Sequence, residues 1–195
     1  SCTVPSVLAQ EVVVPDEQQY KYTKPEEIWA HGNPMIMGTK GFITAICYEP
    51  LAMNDDVSMQ YGINYKPLLA ESWGWVADTT FEIKIRKIAH FSSGRPVTAD
   101  DVAFSLENEL RTDLSGALSG YAPLIEGVEK VDDYTVHVKV KEQYARNKRI
   151  LGILTGVKVL PKHVWAPLLE EYNNTGIVDY KHTDDPENWD PSGPY

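Results

Sequence analysis

The chain has 195 residues, of which 43% are hydrophobic and 24% charged, a balance that suits a globular chain able to bury a core. Its formal net charge of −10 argues against nucleic acid or an anionic membrane surface as a partner, because either would repel it, and leaves small solutes open. Cys2 and Cys47 allow at most one bridge, which excludes a disulfide-stapled framework, and no run reaches the ~20 apolar residues of a membrane span.

The opening stretch, residues 1–10, is apolar and rich in small residues, and three readings of it stand. Val7-Leu8-Ala9 suits a signal peptidase, which makes the stretch the tail of an export signal; Ser1-Cys2 suits the end of a lipobox, with Cys2 lipidated; a plain terminus fits as well. Residues 11–24 are polar apart from Val12-Val13-Val14, which Pro15 ends, and predict an extended lead-in. Pro25 can open one helical turn through Ala30, followed by a turn at His31-Gly32-Asn33-Pro34 and a loop at residues 38–41. Cys47, between Ile46 and Tyr48, reads as a small buried hydrophobe.

From Thr80 to Arg86 the sequence alternates strictly, with Phe81, Ile83 and Ile85 on one face and Glu82, Lys84 and Arg86 on the other, as a half-buried strand does. Ala77-Asp78-Thr79 is the hairpin turn before this strand, and Gly94 and Pro96 break the chain after it. Thr98 predicts a helix N-cap, its hydroxyl accepting from the Asp101 amide, with Asp100 and Asp101 in the first turn and Val97 and Val102 at staple spacing. Val102, Leu106 and Leu110 then define one buried stripe, and residues 116–120 a loop. A second hairpin is predicted around Asp132-Asp133, with Tyr134, Val136, Val138 and Val140 on one face. Residues 147–160 are mostly apolar up to Pro161, and the chain turns polar from Tyr172 onward.

Several of these segments together resemble a known family. Leu69-Ala70-Glu71-Ser72-Trp73, the Phe-x-Ile-x-Ile-Arg strand, Phe91-Ser92-Ser93-Gly94-Arg95-Pro96-Val97 and Thr98-Ala99-Asp100-Asp101-Val102 through Phe104-Ser105-Leu106-Glu107 come in the order typical of the family 5 extracellular solute-binding proteins. Leu160-Pro161-Lys162-His163-Val164-Trp165 and the terminal Pro191-Ser192-Gly193-Pro194-Tyr195 fit as well, although Pro191 stands where the family has a glycine. The resemblance runs from about Tyr48 to Tyr195 and implies an α/β, periplasmic-binding-protein-like fold of type II, in the large three-subdomain cluster. The chain would be its N-terminal portion, with an antiparallel strand-rich subdomain. Residues 1–24 would be a leader remnant and lead-in, and residues 25–195 the N-terminal lobe, with a second lobe supplied by the remainder of the same polypeptide.

The function so implied is an extracytoplasmic receptor, lipid-anchored if Cys2 ends a lipobox, that captures an oligopeptide or oligosaccharide between two lobes. It would deliver this solute to an ABC permease, without chemistry and without a cofactor. A nickel or haem receptor of the same family is the alternative, and a secreted hydrolase or a protein-contact module with functional residues elsewhere are the others. The early loop and its Asn-Pro lie near the solute in the family, and Asn33, Pro34 and Tyr48 match that pattern. Aromatic rings stack on sugars and peptide planes, and Trp29 beside that loop and Trp189 are the preferred ligand-facing aromatics, while Trp73 and Trp165 fall in packing motifs.

The residues offer little for chemistry. No two of His31, His90, His137, His163 and His182 stand four apart, and no Cys-x-x-Cys occurs, so a metal site held by the protein alone is not expected. His90 reads as a strand-end surface residue and His137 as solvent-facing. Asp100-Asp101 and Asp184-Asp185 are adjacent and do not face each other on a regular element, so capping and a turn explain them better than acid/base pairing.

Overall fold

A computed structural model of the chain describes residues 47–55, 64–114, 117–175 and 190–192. A two-stranded ribbon of β1 (Ala52–Asn54) and β2 (Tyr65–Pro67) precedes a four-stranded antiparallel sheet. The sheet comprises β3 (Ala70–Ala77), β4 (Thr80–Ile85), β5 (Ile125–Asp132) and β6 (Thr135–Val140), in the order β3-β4-β6-β5. Helix α1 (Ala99–Glu109) packs on β5 and β6, and after the short α2 (Gly152–Gly156) the long α3 (Lys162–Thr175) packs on α1.

The alternation of β4 is realised in the sheet. Phe81, Ile83 and Ile85 are each at most 1% exposed, and the register places Phe81 opposite Val138 and Ile83 opposite Val136, so one face of β4 and β6 is continuous apolar core. Glu82 falls opposite His137 on the other face. There the expectation of a solvent-facing histidine needs correction: His137 Nε2 lies 3.1 Å from Glu82 Oε2, and both side chains are mostly covered. His90 is exposed, as expected, but it lies beyond the end of β4 at Ile85, in an isolated bridge to Pro96. The second hairpin turns one residue later than predicted, at Asp133-Tyr134, because the Asp132 carboxylate accepts the Tyr134 amide at 2.7 Å and keeps Asp132 in β5. Tyr134 therefore sits in the turn, with the Lys87 ammonium 5.7 Å above its ring.

The turn from Phe91 to Pro96 depends on Gly94, whose φ of +83° is the left-handed conformation that glycine adopts without strain. The Gly94 amide donates to the Phe91 carbonyl (2.9 Å) and the Phe91 amide to the Arg95 carbonyl (2.8 Å). This loop delivers Val97, fully buried, to the start of α1.

Helix α1 begins after Thr98 with a capping box, as the sequence predicts, but the carboxylate does more than the pattern foretells. Asp101 Oδ2 accepts both the Thr98 amide (2.9 Å) and the Thr98 hydroxyl (2.8 Å), while Oδ1 accepts the Lys162 amide (2.9 Å) at the start of α3. One carboxylate, 7% exposed, thus satisfies amides at the N-termini of two helices, where the helix dipoles also favour negative charge. One turn on, the Ser105 hydroxyl donates to the Asp101 carbonyl (2.6 Å) and accepts the Leu160 amide (2.8 Å).

The single stripe predicted for α1 is only half of what it buries. Val102 and Leu106 face the main core, which also contains Ile150, Ile153, Leu154, Val157 and Val159. Phe104 turns the other way, into a second cluster with Tyr48, Leu114, Leu160, Trp165 and Leu169. Ser105, Asn108 and Glu109 are buried too, each with a hydrogen bond: Asn108 donates to the Phe104 carbonyl (2.7 Å) and Glu109 accepts the Ala117 amide (2.7 Å). The segment expected as a loop near residue 120 contains a short 3-10 turn, Ser119–Tyr121, held by buried Leu118.

Replacing Asp101 with Ala is expected to cost about 2–4 kcal/mol, a lost cap plus partly buried donors left unpaired. The readout is a lower urea midpoint at unchanged slope. Asp100→Ala, at an exposed carboxylate that meets Lys130 and Lys162, should stay within about 0.5 kcal/mol of the parent. Equal losses in the two variants would refute the anchoring role of Asp101.

Candidate functional site

Two parts of the chain that the sequence marks separately, the Tyr48 segment and the residues after Trp189, meet at one corner of the molecule. The Glu49 amide donates to Ser192 Oγ at 3.1 Å, and the Val159 amide donates to the Glu49 carbonyl at 3.2 Å. Ser192 Oγ in turn lies 3.4 Å from the Val159 carbonyl, to which it donates. Beside it, the Asp190 carboxylate sits in the Phe91–Gly94 turn. Oδ1 accepts the Ser93 amide (2.8 Å) and the Ser92 hydroxyl (3.1 Å), and Oδ2 accepts the Ser93 hydroxyl (2.9 Å). The Ser92 amide donates to the Pro191 carbonyl at 2.8 Å, and His163 Nε2 on α3 lies 3.5 Å from Asp190 Oδ2.

Tyr48 forms the floor of this corner. It is 1% exposed, its hydroxyl accepts the indole N–H of Trp165 at 3.2 Å, and the two rings meet edge-on at 79° with centroids 6.3 Å apart. That geometry suits the opposed charge of ring edge and face. Burial pushes the Tyr48 phenol well above its ordinary value, and it also raises the Glu49 carboxyl and the Cys47 thiol. Cys47 is only partly buried, against the expectation of a fully interior residue, because it borders the second cluster instead of entering it. Of the sequence-predicted site residues Tyr48 is described, as a wholly interior side chain, while Trp29, Asn33, Pro34 and Trp189 lie outside the described residues. Cys2 does as well.

A second concavity was not foreseen. Tyr65, Trp73, Trp75 and Phe81 line a groove of about 700 Å³, bordered on its other side by Arg146, Lys148 and Leu151. Tyr65 stands edge-on to Trp73 (88°) and Trp75 edge-on to Phe81 (70°), so the rings hold one another in place. Trp73 and Trp75 share a face because they are two apart on β3, and β3 is an edge strand, so that face is only half covered. The period-two pair of tryptophans was the available signal; the edge position was not.

Among the described residues no group of His, Cys, Asp and Glu is placed to hold a metal ion, and no helix is long and apolar enough to cross a membrane. Glu109 is a buried carboxyl with a raised pKa, caused first by burial and opposed by the bond from Ala117, and its hydrogen bond is spent on holding the loop after α1.

The chain matches the family model described as bacterial extracellular solute-binding proteins, family 5 middle, over residues 64–195. It belongs to this family. The oligopeptide-binding protein AppA of Bacillus subtilis is 30% identical over 155 residues, a match that covers 72% of this chain and 27% of that protein. The periplasmic alpha-galactoside-binding protein of Rhizobium meliloti is 29% identical over 60% of this chain and 18% of its own length. The chain thus spans about a quarter or less of these family 5 relatives. Among solved structures, AppA in complex with a nonapeptide superposes with a TM-score of 0.58 at 28% identity, covering 72% of this chain and 28% of that one. MoaA of A. tumefaciens R10 in complex with mannopinic acid gives a TM-score of 0.58 at 28% identity, covering 75% and 30%. The expected α/β, type II periplasmic-binding-protein class therefore holds, with the antiparallel sheet as its strand-rich part.

Two measurements check the site. Tyr48→Phe leaves the buried Trp165 N–H without its acceptor and should cost about 1–3 kcal/mol, read by chemical denaturation; an unchanged midpoint would mean that the bond contributes nothing. For Glu109, a folded-state pKa above the unfolded one contributes stability at low pH that is lost as pH rises through the raised value. Glu109→Gln keeps an acceptor for Ala117 and removes the titration, so its stability relative to the parent should improve as pH rises from about 4 and level off once the raised value is passed. A flat difference over that range would contradict the burial argument.

Proposed function

We propose that the protein is an extracytoplasmic solute receptor which captures an oligopeptide or an oligosaccharide between two lobes and delivers it to an ABC permease, performing no chemistry itself. The observation that carries this reading is the agreement in fold and sequence with AppA, a structure with a bound nonapeptide, over 72% of the chain. Oligosaccharide stays beside oligopeptide because the alpha-galactoside-binding relative matches nearly as well and because aromatic side chains suit sugar rings.

On this reading residues 25–195 are the N-terminal lobe, residues 1–24 a leader remnant and lead-in, and the rest of the same polypeptide supplies the facing lobe. Solute contact is assigned to Trp29, Asn33, Pro34 and Trp189. Tyr48 enters as an interior support and not as a contact, since its ring and hydroxyl already meet Trp165. The mechanism is hinge closure, in which the solute stabilises the closed state by its higher affinity for it.

The test is the melting temperature of the full-length polypeptide against panels of peptides and cello-oligosaccharides. A ligand at about 100 times its dissociation constant adds ~2.7 kcal/mol to the native state, so one panel should raise the midpoint by several degrees. No shift with either panel would sink the receptor reading, and turnover of any member would favour a hydrolase.

A further inference from the structure

Residues 190–192 hold on to two places that lie far away in sequence and on different elements. At one end, the Asp190 carboxylate takes an amide and two hydroxyls from the Ser92-Ser93 turn, 97 and 98 residues away. At the other, the Ser192 hydroxyl lies between the Glu49 amide, 143 residues away, and the Val159 carbonyl. Between them the Pro191 carbonyl accepts the Ser92 amide. Asp190 has φ +45°, a left-handed backbone that a non-glycine residue keeps only where its surroundings fix it. Asp190 and Ser192 are 9% and 8% exposed, so neither end is a loose surface contact.

We propose that residues 190–192 form a clasp, seated by Asp190 in the Ser92-Ser93 turn and by Ser192 against Glu49 and Val159, so that the two chain segments crossing this corner, 47–49 and 190–192, engage and release together. The physical reason is that Asp190 fixes the backbone of the two residues after it. Once its carboxylate leaves the turn, the left-handed φ loses its support, and the Ser192 hydroxyl can no longer be held between its two partners. Releasing Ser192 leaves the Glu49 amide unpaired, which loosens the segment carrying Cys47 and Tyr48. Asp190 is on this account a positioning residue for the segment carrying Cys47 and Tyr48, acting through the seat it gives Ser192. The clasp stands without the receptor reading. If that reading holds, it also ties the segment carrying Tyr48 to the Ser92-Ser93 turn.

Cys47 supplies the probe: in the full-length polypeptide with Cys2→Ser, its modification is read at that residue by peptide mass spectrometry. In that background, thiol labelling of Cys47 is compared among the parent, Asp190→Ala, Ser192→Ala and the double variant, with hydrogen exchange at the Ser93 and Glu49 amides. Each single variant should speed labelling on the order of fivefold or more, the double variant should be no faster than the quicker single, and both amides should lose protection together. Loss of protection at Ser93 alone in Asp190→Ala, with Cys47 and Glu49 unchanged, would overturn the clasp, as would additive effects in the double variant. Should Asp190→Ala fail to fold by circular dichroism, Asp190→Asn and Ser92→Ala, which remove only part of the seat, carry the same comparison with smaller effects. No solute enters this experiment, so its failure would leave the receptor reading to the melting panels.

Discussion

The carboxylate of Asp101 joins two helix starts that the chain brings together from 61 residues apart, and the seating of α3 on the rest of the molecule depends on that junction. An isolated helix start leaves amides unsatisfied, and burying one is costly. Here the Thr98 and Lys162 amides come together at one partly buried place, so one acceptor group serves both. The geometry this imposes sets α3 across α1, and α3 in turn closes the second cluster around Trp165 and Tyr48. Ser105 then locks the approach to α3 by taking the Leu160 amide. The sheet side of α1 and the α3 side are therefore not independent, since a single polar group at their common end fixes both.

Much of this was legible in the residues because local rules and tertiary demands agree. The β4 alternation, the break at Gly94 and the start of α1 each follow from a pattern of a few residues, and the environment rewards each as the pattern expects. The second buried face of α1 was not legible. Phe104, Ser105 and Asn108 read as an ordinary flank until α3 arrives from beyond residue 160, and nothing local announces that arrival. The shift of the second hairpin has a smaller cause of the same kind, one carboxylate–amide bond deciding between two acidic residues.

The candidate site divides along the same line. The motifs name the family without pointing at the surface that would meet a solute, and Tyr48 illustrates why. An aromatic beside a loop suits ligand contact as a residue type, yet in this fold its hydroxyl is consumed by an indole N–H and its ring by the same partner. The half-covered tryptophans of β3 show the converse. The motif around Trp73 suggests packing, yet the place of Trp73 and Trp75 on an edge strand leaves part of each ring beside a groove.

The contact between Glu49 and Ser192 also bears on the order in which the molecule assembles. It closes a span of 143 residues, whereas β4, β6 and β5 with α1 come together within 61 residues of chain from Thr80 to Val140. Closing a long span costs more chain entropy and repays it only once intervening structure has shortened the effective loop. The sheet and α1 are thus expected to form first, α3 to dock next through Asp101, and the Glu49–Ser192 corner to close last. A structure that finishes folding at one corner also begins to open there, so this corner belongs to the least protected part of the native state.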